Sequence, residues 1–414
     1  MYRIGVDIGG TFTDLVVVED AGAVHFGKIA STPEDQSIGV MAGLDMMAGR
    51  LLMPLVAMLG QTERIVHGMT VATNALLERK GARLGLLTTE GHRDVLEMRE
   101  GLKPERYNLR LPRHPALAPR ALRFGVRERM RDTGSVETSL DMDSLDTAIE
   151  ALRGEKVEAI AVCYLHAYAN PAHEQQTRDR LAELLPDVYV SLSSDVLPQI
   201  KEYERVSTTA VNAYVGPALE RYLARLQNRL KETGYSGPAL ITLSHGGVAP
   251  ISEAIRLAAG TVLSGPAGGL AGARHASGVL DVGDLIPFDM GGTSTDISLI
   301  VDGETTLSSD RVVAGERIAL SSLDIVTLGA GGGSIASVDT GGLLNVGPHS
   351  AGASPGPACY GNGGVEPTVT DANVVLGFLN PDGFSGGGSA LDTKAANTVL
   401  DVLAGKLGVE RITA

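Results

Sequence analysis

Two stretches of this chain carry almost the same sequence, Ile4-Gly-Val-Asp-Ile-Gly-Gly-Thr-Phe-Thr-Asp14 and Ile286-Pro-Phe-Asp-Met-Gly-Gly-Thr-Ser-Thr-Asp296. Both contain the pattern Asp-x-Gly-Gly-Thr-x-Thr-Asp. In each copy a hydrophobic run is interrupted by paired glycines and continues as a β-rich run, which predicts a strand, a tight turn and a second strand. Two such hairpins predict a two-fold repeated architecture.

The repeated residues have the chemistry of a phosphate-binding site. Glycines let successive backbone N–H groups approach an anion, and threonine hydroxyls add donors beside them. The first carboxylate of each copy is expected at a strand end, where it can hold Mg²⁺ directly or through water. A lone Gly-Gly-Thr turn is typical of an ordinary hairpin, but the repeat favours a phosphate clamp with one jaw from each half. Its candidate residues are Asp7, Gly9, Gly10, Thr11, Thr13 and Asp14, and Asp289, Gly291, Gly292, Thr293, Thr295 and Asp296.

The composition is that of a globular protein. A length of 414 residues allows two or three domains. The net charge of −14 argues against general nucleic-acid binding, which requires a basic surface. The most apolar helical segment, Val40–Gly60, is interrupted by Asp45 and Arg50, so no membrane-spanning helix is expected. Because the chain begins with a strand pattern, no signal peptide is expected either.

The two cysteines do not form a Cys-x-x-Cys motif. This usage favours a reducing, cytoplasmic location. Cys163 lies in a strand-like run and is expected to be a small buried hydrophobic residue. Cys359 lies in a glycine- and proline-rich loop, where it is either structural or reactive.

Further elements follow the first hairpin. A Met-rich amphipathic helix is predicted over Met41–Leu59, and then a strand ends in the motif His67-Gly-Met-Thr-Val-Ala-Thr-Asn74. Thr70, Thr73 and Asn74 are expected to cap the following helix or to face a ligand. His67 is a weak candidate for acid/base chemistry.

The segment Arg99–Arg131 is rich in lysine and arginine and contains several prolines. It is interpreted as an excursion from the core, either a solvated loop or a cover for an acidic substrate or a partner chain. Regular α/β alternation starts near residue 141 and predicts a sheet flanked by helices. A long helix over Glu202–Lys231, containing Pro217, is a plausible connector between two domains, 1–200 and 201–414.

Glycine-rich loops are concentrated after the second hairpin. The chain has 52 glycines, and they form several short runs in this part. Each run alone is a weak signal, because such loops are often only turns. Together they predict ligand-competent backbone in the runs Gly329-Ala-Gly-Gly-Gly-Ser334, Pro355-Gly-Pro-Ala-Cys-Tyr-Gly361 and Thr368-Val-Thr-Asp-Ala-Asn373.

With these motifs in place, the chain resembles the hydantoinase A and 5-oxoprolinase family, part of the actin, Hsp70 and sugar-kinase superfold. The resemblance runs along essentially the whole chain. Besides the two hairpins and the runs at 329–334 and 368–373, it rests on His67-Gly-Met-Thr-Val-Ala-Thr-Asn-Ala-Leu-Leu-Glu-Arg-Lys-Gly81 and Ser264-Gly-Pro-Ala-Gly268.

The resemblance implies an ATP-dependent enzyme that opens a cyclic amide, such as 5-oxoproline, a hydantoin or a related lactam, by phosphorylating its carbonyl oxygen. Such chemistry needs positioning and charge neutralisation more than a protein nucleophile. It implies ATP and Mg²⁺ as cofactors, with Asp7 and Asp289 at the metal and Asp296 near the transfer. The Gly331, Gly332 and Gly333 loop is expected to line the nucleotide cleft. A hydantoinase B-type partner subunit, and hence a hetero-oligomer, is implied as well.

The resemblance also leaves alternatives open. Related chains are activating subunits of acetone and acetophenone carboxylases, and a non-catalytic nucleotide-binding or partner-binding fragment is a third possibility. Family members usually continue into further βα units of the second half, with another glycine loop near the adenosine. We therefore expect an α/β actin-like fold whose second half is incomplete.

Overall fold

The computed structural model describes residues 1–9, 12–32, 34–101, 105, 107–352, 354–382 and 390–414. Gly10 and Thr11 of the first predicted jaw, and positions 102–104 and 106 of the basic segment, lie outside the described residues.

The helices and strands are numbered in chain order. The first part contains β1 (Tyr2–Ile8), β2 (Phe12–Glu19), β3 (Val24–Ala30), α1 (Gln36–Arg50), α2 (Leu55–Gly60), β4 (Thr62–Met69), α3 (Val71–Leu77), β5 (Leu84–Thr89), α4 (Val95–Met98), β6 (Arg123–Val126), β7 (Arg129–Met130) and β8 (Val136–Thr138). The middle part contains α5 (Met142–Gly154), β9 (Ala159–Cys163), α6 (Ala172–Leu184), β10 (Tyr189–Leu192), α7 (Ser193–Val196), α8 (Glu202–Glu232), β11 (Ala239–Thr242), β12 (Val248–Pro250), α9 (Ile251–Arg256) and α10 (Ser264–Leu280). The last part contains β13 (Phe288–Met290), β14 (Thr295–Ser298), β15 (Ile300–Val301), β16 (Glu304–Thr305), β17 (Leu307–Ser308), β18 (Arg311–Val313), β19 (Glu316–Ile318), β20 (Ser322–Leu323), β21 (Ile325–Leu328), β22 (Ser334–Val338), β23 (Leu344–Ser350), α11 (Val369–Val375) and α12 (Thr393–Leu407).

The first hairpin belongs to a six-stranded mixed sheet of order β12-β11-β4-β1-β2-β3. Alternating apolar residues of β1 and β2 point to one face and are buried there, as period-two alternation requires. Helix α1 covers this face, and Gly43 packs directly on Leu15 because it has no side chain. The predicted strand-turn-strand unit is confirmed in both copies.

A second sheet of order β10-β9-β5-β6 is entirely parallel. Its central strands are buried along their whole length, which is typical of parallel sheets covered on both faces. Strand β6 comes from the basic segment, so the expectation that this segment as a whole leaves the core is wrong. Two of its guanidinium groups have carboxylate partners: Arg120 pairs with Asp94 at 3.0 Å, and Arg113 pairs with Glu97 at 2.7 Å.

Helix α8 confirms the predicted long helix, and Pro217 lies inside it. Every residue from Tyr203 to Pro217 is buried, and a helix that is buried on all sides belongs to a core. Side chains of α8 share one hydrophobic core with β1, β4, β5, β9 and α1. The helix also contacts the second half, since the Ser207 hydroxyl donates to the Arg317 carbonyl at 2.8 Å. It is therefore a central core element more than a connector.

The predicted helix over Met41–Leu59 is in fact two helices, α1 and α2. The break covers residues 51–54, where Leu52 adopts a positive φ of 56° and Pro54 begins the next helix. Proline has no N–H to continue the hydrogen-bond ladder of α1, so α1 ends before Pro54 and a new helix begins after it.

The second half repeats the hairpin but covers it less completely. Strands β13, β14 and β21 form a three-stranded antiparallel sheet in which β13 is an edge strand. Val6 and Ile8 of β1 are 4% and 0% exposed, whereas Phe288 and Met290, at the equivalent positions of β13, are 70% and 48% exposed. Within the described residues, β13 lacks a counterpart of β4 on its outer edge. The α/β class and the incomplete second half agree with the expectation from the sequence.

The predicted domain boundary between residues 200 and 201 stays a prediction. Strands β11 and β12, which follow it in the chain, are part of the first sheet. Among the described residues, no helix is long and apolar enough to cross a membrane.

Candidate active site

Each hairpin brings its two aspartates directly opposite each other. Asp7 of β1 is in register with Asp14 of β2, and Asp289 of β13 is in register with Asp296 of β14. Opposite residues of an antiparallel pair point to the same face, so each hairpin presents a pair of carboxylates on one surface. The sequence predicts that Asp14 and Asp296 lie one strand further on, but the register that pairs them with Asp7 and Asp289 comes from the structure.

The two turns close in the same way. The Gly9 amide donates to the Phe12 carbonyl at 2.9 Å, and the Gly291 amide donates to the Ser294 carbonyl at 2.8 Å. These two N–H groups are therefore occupied by the turns and are not free for a phosphate, contrary to the expectation for Gly9 and Gly291. Within the described residues, the amides of Gly292 and Thr293 have no acceptor, and Thr293 is exposed to solvent.

Thr13 and Thr295 do not lie on the carboxylate face. Both are buried, the hydroxyl of Thr13 lies 3.2 Å from that of Ser31, and the hydroxyl of Thr295 donates to the Ala330 carbonyl at 2.6 Å. Neighbouring residues of a strand point to opposite faces, so Thr13 and Thr295 cannot share a face with the aspartates that follow them. Their geometry favours a structural role over the predicted role as phosphate donors.

Each hairpin is extended by a third strand that adds a polar side chain to the carboxylate row. Lys28 of β3 is in register with Asp14, and its ammonium lies 2.6 Å from the Asp14 carboxylate. Thr327 of β21 is in register with Asp296, and its hydroxyl donates to that carboxylate at 2.5 Å. Neither Lys28 nor Thr327 is among the residues predicted from the sequence. Strand β3 carries no local signal for Lys28, since Val24 and Phe26 on the same face are apolar and exposed.

Asp7 lies within electrostatic reach of carboxylates from both hairpins. Desolvation is the main cause that raises the pKa of Asp7 to about 6, and the negative charges of Asp14 and Asp289 act in the same direction. The Asp7 carboxyl still reaches solvent. Asp289 comes from the other half, so the cleft between the two predicted jaws brings carboxylates from both halves within electrostatic reach of each other.

Glycines from two further motifs closely surround Asp7. A Cβ atom on Gly68 would lie only 2.7 Å from the Asp7 carboxylate, and one on Gly265 would lie 3.5 Å from it. Gly265 belongs to the first turn of α10, which is joined to β4 by a hydrogen bond of 3.0 Å from the Ser264 hydroxyl to the Met69 carbonyl. These two motifs therefore form the wall behind Asp7.

The three residues predicted to cap α3 instead connect neighbouring elements. The Thr70 hydroxyl donates to the Ile8 carbonyl at 3.1 Å, and the Thr73 hydroxyl accepts from the Leu263 amide at 2.9 Å. Asn74 donates to Thr70. None of them makes a side-chain cap of α3. They hold the first hairpin against α3 and α10.

The Gly331–Gly333 loop lies on the turn of the second hairpin. The Gly332 amide donates to the Gly291 carbonyl at 2.8 Å, and the Gly333 amide donates to the Gly292 carbonyl at 2.6 Å. The Gly331 amide donates to the Ser334 hydroxyl. All three amides are used within the protein, so this loop supports the turn, and its predicted contact with a nucleotide cannot come from these N–H groups.

Asp371 anchors that loop from behind, and the sequence analysis did not single it out. Its buried carboxylate accepts from the Cys359 amide at 2.8 Å, and from the Thr368 amide at 3.0 Å and hydroxyl at 2.8 Å. The neighbouring Thr370 donates its amide to the Gly332 carbonyl at 2.7 Å. The capping box of α11 thereby holds the second turn in place.

The two halves are also joined beside α8. The tip of the β18–β19 hairpin reaches the first half, where Glu316 lies 2.8 Å from the Arg79 guanidinium and 2.8 Å from the His114 ring. Arg99 donates to the Gly315 carbonyl at 2.7 Å. Glu316 is buried, and a buried carboxylate needs such partners. These contacts fix the orientation of the second half relative to the first.

His67 is not placed for acid/base chemistry. It is fully buried, and its two ring nitrogens lie 3.2 Å from the Val6 carbonyl and 2.5 Å from the Tyr222 hydroxyl. Burial lowers the pKa of His67 to about 4. The ring is therefore neutral and structural at physiological pH.

This assignment predicts a pH-dependent stability. Below about pH 6.5 the unfolded chain protonates His67 while the folded chain does not, so stability is lost as pH falls from about 6.5 to 4, by about 3 kcal/mol. Denaturant unfolding at several pH values measures this loss. His67→Gln should remove that part of the pH dependence, and His245→Gln, at an exposed histidine, should keep it. Equal pH profiles for His67→Gln and wild type would contradict the assignment.

Both cysteines are buried and free. Burial raises the pKa of both thiols, which makes them poor nucleophiles. The structural alternative for Cys359 is therefore favoured over a reactive thiol. The cytoplasmic location expected from cysteine usage stays a prediction.

Comparison with known proteins places the whole chain in one family. Residues 3–185 match the hydantoinase/oxoprolinase N-terminal region, and residues 205–414 match the hydantoinase/oxoprolinase domain. The chain is 40% identical to the caprolactamase subunit alpha of Pseudomonas jessenii over 99% of its own length and 59% of that protein. The crystal structure of the ATP-dependent caprolactamase from that organism superposes with a TM-score of 0.86, covering 100% of this chain and 60% of that one.

Other relatives are named for different activities. The acetophenone carboxylase gamma subunit of Aromatoleum aromaticum is 36% identical over 99% of this chain and 58% of that protein. The 5-oxoprolinase 1 of Arabidopsis thaliana is 34% identical over 99% of this chain and 34% of that protein. The chain thus spans about 60% or less of the length of these relatives. On the strength of both domain matches, the chain belongs to the hydantoinase/oxoprolinase family.

Proposed function

We propose that this chain is the ATP-binding part of an enzyme that opens a cyclic amide at the expense of ATP. The observation that carries the proposal is the pair of matching hairpins, each with two aspartates in register, whose carboxylates Asp7 and Asp289 lie within electrostatic reach of each other. The similarity to an ATP-dependent caprolactamase and to a 5-oxoprolinase supports a lactam-type substrate.

Magnesium fits the residues of this cleft. Carboxylate oxygens are its preferred protein ligands, and it is usually bound by one or two carboxylates together with water and substrate phosphates. Within the described residues, no group of three or more acidic, histidine or cysteine side chains converges on one metal position. Asp7 and Asp289 would thus hold Mg²⁺ jointly with water and the nucleotide, whose charge the metal neutralises.

The proposed reaction transfers the γ-phosphoryl group of ATP to the carbonyl oxygen of the lactam, after which two water molecules complete ring opening and release inorganic phosphate. The protein supplies positioning and charge, which are the main needs of phosphoryl transfer. The free amides of Gly292 and Thr293 are proposed to donate to a phosphate, and Asp296, held by Thr327, to orient groups at the site of transfer. Gly10 and Thr11 are proposed for the equivalent role in the first jaw.

The active protein is proposed to be a hetero-oligomer. The caprolactamase and acetophenone carboxylase relatives are named as subunits, which supports a multi-chain assembly. A hydantoinase B-type chain is the proposed partner. The exposed apolar face and free edge of β13 are further reasons to expect additional polypeptide beside the second hairpin.

The test is ADP release by the full-length protein, with and without its partner subunit, in the presence of caprolactam, 5-oxoproline, a hydantoin, or acetone with bicarbonate. We expect stimulation by a cyclic amide together with formation of the ring-opened product. Stimulation by the ketone alone would establish the carboxylase alternative. Absence of nucleotide turnover with every substrate would favour a binding role and overturn the proposal.

A glycine substitution tests the wall behind Asp7. In Gly68→Ala the added methyl group would lie 2.7 Å from the Asp7 carboxylate, so the carboxylate must move. We expect ATP hydrolysis to fall by about 10²-fold, because misplacement by about 1 Å has effects of that size. Gly5→Ala is the matched control in the neighbouring strand, since its methyl group would lie 4.0 Å from the nearest side chain. Equal activity of the two variants would exclude a positional role for Gly68.

A further inference from the structure

The two halves differ at one position of otherwise matching carboxylate rows. The first row runs Asp7, Asp14, Lys28 across β1, β2 and β3. The second runs Asp289, Asp296, Thr327 across β13, β14 and β21. The aspartates are repeated, but the third side chain is a cation in the first half and a neutral hydroxyl in the second.

Lys28 lies on the carboxylate face of the first hairpin, in register with Asp14. Its ammonium lies 2.6 Å from Asp14 and 5.1 Å from the centre of the Phe12 ring, and the side chain is 30% exposed. It therefore reaches solvent on the face that carries the carboxylates. Its positive charge also acts on Asp7, two strands away, and opposes the increase in the pKa of that carboxyl.

The negative charges of the cleft indicate a function for the positive charge of Lys28. Four carboxylates from the two hairpins would repel the phosphates of a nucleotide, because like charges in a cleft of reduced dielectric interact strongly. In the first row, Lys28 compensates one of the two negative charges. In the second row, the Thr327 hydroxyl orients Asp296 without neutralising it. The first row thus already contains a positive group that can face a phosphate.

We propose that Lys28 is a catalytic residue: its ammonium, oriented by Asp14, contacts the terminal phosphoryl group of ATP from the side of the first hairpin. This inference rests on the proposed function. It adds one contact to the phosphoryl transfer proposed above and does not change the reaction. Lysine suits the task as a compact point charge on a flexible stem. Asp14 is accordingly a positioning residue. Because Thr327 is neutral, the second row keeps its net negative charge, which the magnesium ion would neutralise.

A purely structural ion pair would behave differently. Exposed pairs contribute about 0–1 kcal/mol to folding, so loss of Lys28 would then have little effect on either stability or catalysis. The surface pair between Lys80 and Glu78, at 2.7 Å, is such a pair and provides a matched control.

The experiment compares wild type, Lys28→Met, Lys28→Arg and the control Lys80→Met in the full-length protein with its partner subunit. We expect Lys28→Met to lower kcat for lactam-stimulated ATP hydrolysis by about 10²-fold to 10³-fold. In calorimetry, Lys28→Met should bind Mg²⁺ with a non-hydrolysable ATP analogue about 10-fold more weakly than wild type, which is the effect of losing one charge-assisted contact. The affinity of Lys28→Met for Mg-ADP should equal that of wild type. Lys28→Arg should recover part of kcat, and Lys80→Met should match wild type in every measurement.

The outcomes separate the two proposals. If wild type turns over ATP with a lactam and Lys28→Met is equally active, the role of Lys28 is overturned while the proposed function stands. Equal weakening of ADP and ATP-analogue binding would overturn the contact with the terminal phosphate. If wild type neither binds nucleotide nor hydrolyses it, the proposed function fails and the role of Lys28 fails with it.

Discussion

Replacement of Asp289 by asparagine is expected to lower lactam-stimulated ATP hydrolysis on the order of 10³-fold or more, because phosphoryl transfer depends on charge neutralisation at the phosphates. Asparagine has the same shape but lacks the charge that would hold Mg²⁺ in the cleft. The fold should remain intact, since Asp289 is exposed on β13 and the substitution relieves like-charge repulsion with Asp296.

The measurement is steady-state ADP release, with circular dichroism to monitor the fold. Asp302→Asn is the matched control, because Asp302 is another exposed aspartate of the second half and asparagine tolerates its positive φ of 52°. We expect the control to retain full activity. Near-normal turnover in Asp289→Asn would remove Asp289 from the proposed site.

Among the substitutions proposed in this section, Asp371→Ala is expected to cause the largest loss of folding stability. The substitution leaves the Cys359 and Thr368 amides and the Thr368 hydroxyl buried without their acceptor. Hydrogen bonds to a charged group are among the stronger ones, and unsatisfied buried donors add their own cost, so the free energy of unfolding should fall by about 4 kcal/mol.

Urea unfolding measures this effect, and Asp392→Ala is the control. Asp392 caps α12 through the Lys394 and Ala395 amides but is exposed, so its loss should cost about 1 kcal/mol. We also expect Asp371→Ala to impair ATP hydrolysis, because the loop that supports the second turn depends on the α11 cap. Equal destabilisation by the two variants would show that Asp371 is only an ordinary cap.

Local patterns predicted several elements correctly. The repeat at 7–14 and 289–296 predicted two hairpins because paired glycines between apolar runs specify a tight turn. The long helix α8 was predicted nearly to the residue. Its acidic first turn and basic last turn fit the helix dipole. Helices α1 and α2 were predicted as one helix because Pro54 was not recognised as a helix start.

The candidate site was predicted less completely. Thr13 and Thr295 were grouped with the aspartates because they are adjacent in the motif, yet alternation along a strand places adjacent residues on opposite faces. The amides of Gly331–Gly333 were assigned to a ligand, although the second turn uses two of them and the Ser334 hydroxyl the third. Lys28 and Asp371 were missed because nothing in their immediate sequence shows which strand or loop each one contacts.

The sequence by itself determined the two-half α/β plan, the two hairpins and the family, because turns, strands and helices follow from residues close together in the chain. Tertiary structure alone decided which carboxylates face one another, which amides stay free and where Lys28 meets Asp14. The physical reason is that strand register and the docking of the second half on α8 are set by packing between residues distant in the chain, through contacts such as that of Glu316 with Arg79. Local sequence preferences determine the strands, turns and helices around the cleft, and long-range packing determines where its charged side chains lie.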